Sequence, residues 1–247
     1  MNSAYDRQVA FPSGLGNSTS RQLRSIAPML IIPVGSTEQH GPHLPLDTDT
    51  RIAAAVADAV LERVNGAGGA DWMVAPPVCY GASGEHEGFP GTVSIGTEAL
   101  RFLLVEYGRS ASSWASRLVF VNGHGGNVEA LAAAVALLRH EGRDVGWVPC
   151  IAADADAHAG HTETSVLLHI SPGDVAVDDL VPGNTAPLAE LIPAMRSGGI
   201  AAVSAVGVLG DPTTATAADG ERIFAEMVDG CAVRMRRWHP DRNGMLR

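Results

Sequence analysis

The chain has 247 residues, 46% of them hydrophobic, and carries a net charge of −10 from 17 Lys+Arg against 27 Asp+Glu. That length can bury a substantial core and suits a single α/β domain, and the apolar fraction excludes a disordered chain. The acid excess excludes sequence-independent binding to nucleic acid or to an anionic membrane, since both need a basic face.

Residues 1–25 are polar and rich in Gly, Ser and Asn, so they read as a loose N-terminal arm without the apolar core of a signal peptide. No apolar stretch is long enough to span a bilayer, and the expected location is the cytoplasm. "MLIIPVG" (29–35) predicts a buried strand, and residues 49–64 a helix with Asp49 or Thr50 at its N-cap and a stop at "NGAGG". A second strand is expected over 71–81, followed by the long loop "ASGEHEGFPGTVSIG" and a helix over 97–116. The strand "RLVFVNG" (117–123) leads to a helix over 127–142, and the strand 144–152 to a helix beginning at 162. The last helix is expected over 220–238, leaving 241–247 as a tail. Near-continuous apolar strands alternating with helices imply a mainly parallel sheet covered on both faces, in one domain over 26–240. Cys79, Cys150 and Cys231 are far apart in sequence and form no CxxC, so buried thiols are expected rather than a disulfide framework or zinc knuckle.

In such a fold ligands bind where strands lead into helices. Three polar clusters occupy that position: "GSTEQHGPHLPLDTDT" after the first strand, "NGHGGN" after the third and "HAGHTETS" after the fourth. Five of the nine histidines fall in them. No Lys or Arg lies between Arg24 and Arg51, so the first cluster asks for a cation from outside. Glu38 and His40, one residue apart, point the same way in an extended loop. Asp49 returns at the start of the next helix, whose N-terminus favours its ionised form, and has two oxygens with which to bridge two cations. Gly123, Gly125 and Gly126 let the His124 ring and a ligand approach the backbone. This His/carboxylate set suits Zn, Mn or Fe(II) without choosing among them. Asp47 reads equally as a helix cap, and His43 as a group behind the ligands. "GHGGN" is not GxGxxG, and no P-loop lysine follows it.

The motifs "PVGSTEQHGPHLPLDTD", "YGASGEHEGFPGTVSIG", "FVNGHGGN" and "HAGHTETS" resemble the creatininase family of metal-dependent amidohydrolases, over nearly the whole chain after the arm. The resemblance implies a three-layer α/β/α sandwich and a homo-oligomer, by the family's pattern a hexamer. It makes Glu38, His40, Asp49 and His124 ligands of two divalent metal ions, with Asp49 bridging, and His158 an acid/base group near the scissile amide. The family pattern also has a glutamate two residues after the histidine equivalent to His124, where this chain has Gly126. Glu163 is the substitute, either as a ligand or as a group behind the ligands, and creatinine itself is put in doubt as substrate.

Within the family, "SGEHEGFPGTVSIG" and "GVLGDPTTATAADGERIF" look most like the mycofactocin-system branch. That branch implies a peptidase releasing the modified C-terminal Val–Tyr-derived dipeptide from a ribosomally made precursor peptide, by means of a metal-activated water. In this scheme His158 protonates the leaving amine and a carboxylate beside the metals, Glu163, takes the proton from water. Donors at the helix start Gly125, Gly126 and Asn127 assist at the oxyanion. Glu85 and His86 either contact substrate or only shape their loop. The alternatives are a family cyclic-amide hydrolase or deformylase of a small molecule and, from another class, a metal-binding protein without turnover. Structural zinc sites prefer Cys, which disfavours the last.

Overall fold

The computed structural model describes residues 14–24, 26–65 and 71–247. Four parallel strands, β1 (Met29–Val34), β2 (Trp72–Val74), β3 (Arg117–Asn122) and β4 (Val145–Pro149), form one sheet in the order β2-β1-β3-β4. β1 and β3 run in register from Met29 beside Arg117 to Val34 beside Asn122, so their carboxyl ends finish level. Their next residues, Gly35–Ser36 and Gly123–His124, therefore emerge side by side. β2 is shorter than the strand expected over 71–81, because Pro76 and Pro77 carry no N–H for the ladder. The segment rejoins at Val78, whose carbonyl accepts from Gly35 N at 2.9 Å.

Helices cover both faces. On one face lie α2 (Thr48–Asn65), α5 (His161–Ile170) and α7 (Ala217–Arg237), which bury Ile52, Val56, Val60, Val166, Ile223, Met227 and Cys231 against Ile31, Val119, Val121 and Val148. On the other lie α3 (Gly96–Ala111) and α4 (Val128–His140), which bury Leu100, Leu104, Leu131 and Leu138 against Leu30, Ile32, Leu118 and Phe120. Alternate strand residues thus feed opposite cores, giving the three-layer α/β/α arrangement. A short helix, α1 (Ser20–Leu23), is capped by Thr19 and Gln22 acting on each other's backbone, and Leu15 and Leu23 pack on the α3/α4 core. Of the arm expected to be loose over 1–25, residues 14–24 are thus ordered by this helix and a 3-10 turn at Leu15–Asn17, and residues 1–13 and 25 lie outside the described residues. The tail lies along β4: Leu246 is fully buried, and its N–H donates to the Trp147 carbonyl at 2.9 Å.

Besides α1, which lies in the arm expected to be loose, one further helix escaped the sequence reading. α6 (Leu188–Gly198) buries only Leu191 and contains Pro193. Among the described residues no helix is long and apolar enough to cross a membrane.

Candidate metal centre

Glu38 and His40 come from the loop after β1, Asp49 from the first turn of α2, and His124 from the turn after β3. His158 and Glu163 lie at the entry to α5, while Glu85 and His86 lie on a single 3-10 turn, Gly84–His86, of the long loop between β2 and α3. Glu38, His40, Asp49, His86, His124 and His158 are all buried. They meet at the carboxyl ends of β1, β3 and β4.

The two oxygens of Asp49 face different imidazoles: Oδ1 is 3.3 Å from His40 Nε2, and Oδ2 is 3.1 Å from His124 Nδ1. Ser36 Oγ donates to Oδ2 at 2.5 Å. Glu38 spans the other side, with Oε2 3.2 Å from His124 Nε2 and Oε1 3.2 Å from His86 Nε2 and 3.8 Å from His158 Nδ1. Glu163 Oε2 is 3.8 Å from His40 Nε2 and accepts from Ala159 N at 2.6 Å. Ala159, whose N–H makes this bond, adopts a left-handed φ of 52°. A non-glycine residue pays about 1–2 kcal/mol for this conformation.

Three sets of side chains each bring ligand atoms within 4.8 Å of one another: Glu38, His40 and His158; Glu38, Asp49 and His124; and His40, Asp49 and Glu163. Asp49 belongs to two of these sets, one on each side of its carboxylate. The rings are also held at their far edges. His40 Nδ1 lies 3.1 Å from the Glu38 carbonyl, and a proton donated there leaves Nε2 free toward Asp49. His158 Nε2 lies 2.9 Å from the Gln39 carbonyl, which leaves Nδ1 turned inward. Backbone partners of this kind set the tautomer of metal-binding histidines.

Electrostatics give the same reading. Burial alone would push the His40 imidazole down, but Asp49, then Glu163 and Glu38, overcome it and hold it up at about 10. Burial acts against the charged form of His124 too, yet Glu38 and Asp49 raise its pKa well above the ordinary value. Burial pushes Asp49 up, but His40 and His124 hold it well below the usual carboxylate range. Burial lifts Glu163 to about 7, offset only in part by His40. Burial and the neighbouring His158 push His86 down to about 3, while burial and His40 push His158 well down. Both oxygens of Glu38 are buried without a hydrogen-bond partner among the described residues. An ionised carboxylate in that position costs several kcal/mol unless a cation meets it, whether the protonated His124 ring at 3.2 Å or a metal ion in its place. The donor set, imidazole and carboxylate without thiolate, fits divalent cations.

The adjoining cavity, about 290 Å³, is lined on its polar side by Asp49, Glu85, His86, His124, His158 and Glu163 and by the backbone of Gly123, Gly125 and Gly126. Asn127, expected among the substrate contacts, is placed elsewhere. It is fully buried, accepts from Ala82 N at 2.9 Å and donates to the Gly35 carbonyl at 2.9 Å, so its amide braces the loops instead. Gly126 has a steric reason to be glycine. A Cβ there would collide with the Ala82 carbonyl oxygen and would stand 2.5 Å from His124 Nε2 and 2.7 Å from Glu85 Oε1. Glu85 thus fills the space that a longer residue at 126 would need, with Oε1 3.7 Å from His124 Nε2.

Sequence reasoning missed the opposite wall. Leu188, Met195, Ile200 and Leu209 line the same cavity, the first two from α6. Leu188, Leu191, Ile192 and Met195 do recur at helical spacing, a signal interrupted by Pro193. Gln39 was missed as well. Its Nε2 donates to His86 Nδ1 at 2.9 Å and to the Gly207 carbonyl at 3.0 Å, while its backbone carbonyl faces His158 Nε2, so the one residue holds two rings of the site. A larger cavity, about 820 Å³, lies between α7 and the tail, but its lining offers no converging imidazoles or carboxylates of this kind.

The creatininase family profile, described as creatinine amidohydrolase, matches residues 17–235. The chain belongs to the creatininase family. The mycofactocin precursor peptide peptidase of Mycolicibacterium smegmatis is 79% identical over 246 residues, covering 100% of both chains. Among solved structures, a creatininase described as Zn-Zn type is 27% identical, with a TM-score of 0.75 over 93% of this chain and 99% of its own. A manganese creatininase is likewise 27% identical, with a TM-score of 0.74 over 93% and 100%. The family and the shared α/β architecture make this chain a hydrolase of C–N bonds, and the clustered imidazoles and carboxylates are its candidate metal ligands.

Proposed function

We propose that the protein is a metal-dependent peptidase that cuts the modified mycofactocin precursor peptide near its C-terminus and releases the Val–Tyr-derived dipeptide. The observation that carries the catalytic part is Asp49, whose two oxygens face different imidazoles at the rim of an open cavity. The substrate part rests on full-length likeness to the Mycolicibacterium smegmatis peptidase.

Glu38, Asp49 and His124 would hold one divalent ion, and His40, Asp49 and Glu163 a second, with Zn, Mn or Fe(II) compatible with both sets. Bound there, such ions lower the pKa of water and polarise the amide carbonyl. The chain's own groups do the rest. Glu163, partly buried beside His40, accepts the proton from water. His158, anchored through Nε2 to the Gln39 carbonyl, presents an unprotonated Nδ1 to the cavity, where it receives the proton that Glu163 took from water and passes it to the leaving nitrogen. The backbone at Gly125 and Gly126 approaches the developing oxyanion without side-chain interference. Glu85 and His86 border the space left for substrate. A cytoplasmic homo-oligomer, hexameric by the family's pattern, completes the reading.

The test is incubation of metal-loaded protein with modified precursor, unmodified precursor, creatinine and formylated pyrimidine amines, followed by mass spectrometry. Rapid dipeptide release from the modified precursor is expected, with much slower cutting of the unmodified one. Turnover of a small molecule with the modified peptide left intact would replace this reading with that of a family cyclic-amide hydrolase or deformylase.

A further inference from the structure

The cavity beside the metal ligands does not stand alone. Through Ala157, Leu188 and Leu209 it shares walls with a chamber of about 510 Å³ that holds Asp156, His161 and Asp211. Through Glu85 and Met195 it shares walls with a second chamber, about 400 Å³, bounded by Gly84, Gly88, Gly198 and Gly199 and bearing Arg196. Three adjoining compartments offer more room than a small cyclic amide occupies. They suit an extended chain, and the glycines of the second chamber let a backbone lie close to the wall.

The two outer chambers differ in charge. Arg196 is the one Lys or Arg among the residues lining the three compartments, and the other chamber carries two carboxylates. They also differ in their place relative to the chemistry. His158, the donor to the leaving nitrogen, directly follows Ala157, which forms part of the partition toward the acidic chamber. The leaving nitrogen must face His158, and after the cut it becomes an α-amine with a pKa near 7.7–8.0, largely protonated at neutral pH. Asp156 and Asp211 favour that cation in the chamber beyond Ala157, although Asp156 also accepts from the His161 and Thr162 backbone.

We propose that the three compartments form one trough with a fixed polarity, holding the dipeptide to be released in the chamber of Asp156, His161 and Asp211, and the upstream precursor along Gly84 and Arg196. The apolar wall of Leu188, Met195, Ile200 and Leu209 packs against the side chains that flank the cut bond. This assignment rests on the peptidase reading above and adds direction to it.

Two variants test it by filling one chamber each. A Cβ at Gly84 meets no atom within 4 Å, so Gly84→Trp enlarges into open space. Ala155, exposed on the acidic chamber's wall, becomes Ala155→Trp. Dipeptide release is measured on the full modified precursor and on a version with two residues before the cut, about 7 Å of extended chain. Gly84→Trp is expected to raise KM at least tenfold for the full precursor and to leave KM for the short one within twofold. Ala155→Trp is expected to raise KM for both by the same factor, because both release the same dipeptide. The reverse pattern, or no change in either variant, overturns the trough. A wild-type protein that cuts neither peptide overturns the peptidase reading instead.

A measurement on the unaltered chain covers variants that fail to fold. A photoreactive residue five positions upstream of the cut, presented to chelator-treated protein, should label the segment 195–199, and one in the dipeptide the segment 155–161. Labelling in the opposite sense, or in neither segment, overturns the assignment.

Discussion

Asp49→Asn separates a shared ligand from an ordinary buried acid. The substitution keeps the side chain's volume, so it opens no cavity beside Ser36, His40 and His124, but it removes the charge both rings face at 3.3 and 3.1 Å. Raising His40 from 6.5 to about 10 corresponds to roughly 5 kcal/mol of preference for its charged form at 1.36 kcal/mol per unit. Asp49 is the largest favourable contributor, ahead of Glu163 and Glu38. Without it the charged form of His40 loses its main support, and breaking the buried pair costs on the order of 3–5 kcal/mol. The metal-bound state loses more. Metal at a thousandfold above Kd stabilises the native chain by about 4 kcal/mol, or roughly 8–16 °C at 2–4 °C per kcal/mol for a chain of this size. Wild-type protein should therefore melt about that much lower after chelation, whereas Asp49→Asn should melt at the same temperature with and without chelator. Elemental analysis should find less metal per chain in Asp49→Asn than in Glu163→Gln, since Asp49 belongs to two ligand sets and Glu163 to one. A variant retaining the wild-type metal content and the wild-type response to chelator refutes the bridging role.

Glu163→Gln should weaken one of two metal sites and leave the other intact; unchanged stoichiometry and affinity would place Glu163 behind the ligands. His158→Asn should keep its metal and lose on the order of 10²–10⁴-fold in kcat, the usual worth of a positioned proton donor. Loss of metal in that variant would make His158 a ligand, as its place in the set with Glu38 and His40 allows. For pH, His40 has a folded pKa of about 10, above its unfolded 6.5, so its contribution is full below pH 6.5 and is lost as pH rises toward 10. Urea denaturation of chelated protein should show stability falling across that window, while metal affinity rises as the competing proton leaves; chelated protein gaining stability from pH 6.5 to 10 would contradict the assignment.

The sheet and the ligand loops were legible because each strand carries its chemistry at the end that function uses. "MLIIPVG" runs directly into Glu38 and His40, and "LVFVNG" into His124, so an apolar run followed by donors marks both the strand and the site. α6 was hidden for a physical reason: it buries one side chain, and Pro193 interrupts its pattern. Gly126 read as a missing ligand because its neighbour in space, Glu85, lies 41 residues earlier in the chain. Asn127 sat in the right motif, yet its amide is used up on Gly35 and Ala82. Spacing identifies a polar side chain near a site and leaves open whether its hydrogen bonds face the cavity or the scaffold.

Two features of the centre decide how the fold tolerates it before metal arrives. The acids Glu38, Asp49 and Glu163 converge where burial penalises each charge, and Asp49 is helped by the positive end of α2 only in part. The acids in turn raise the pKa of His40 to about 10 and that of His124 well above its ordinary value, which favours the charged forms of both rings beside Asp49 and Glu38. The acids and imidazoles thus offset one another across the cluster, and a cation bound there would compete with the imidazole protons. Glu38 differs in geometry: neither oxygen makes an aligned hydrogen bond among the described residues, although His124 Nε2 and His86 Nε2 each approach to 3.2 Å. It is the carboxylate with most to gain from a bound cation, and it lies between His124, His86 and His158 rather than at the solvent edge. If Glu38 holds a cation, its depth would tie that affinity to the packing of β1 and β3, whose in-register ends place its loop against His124.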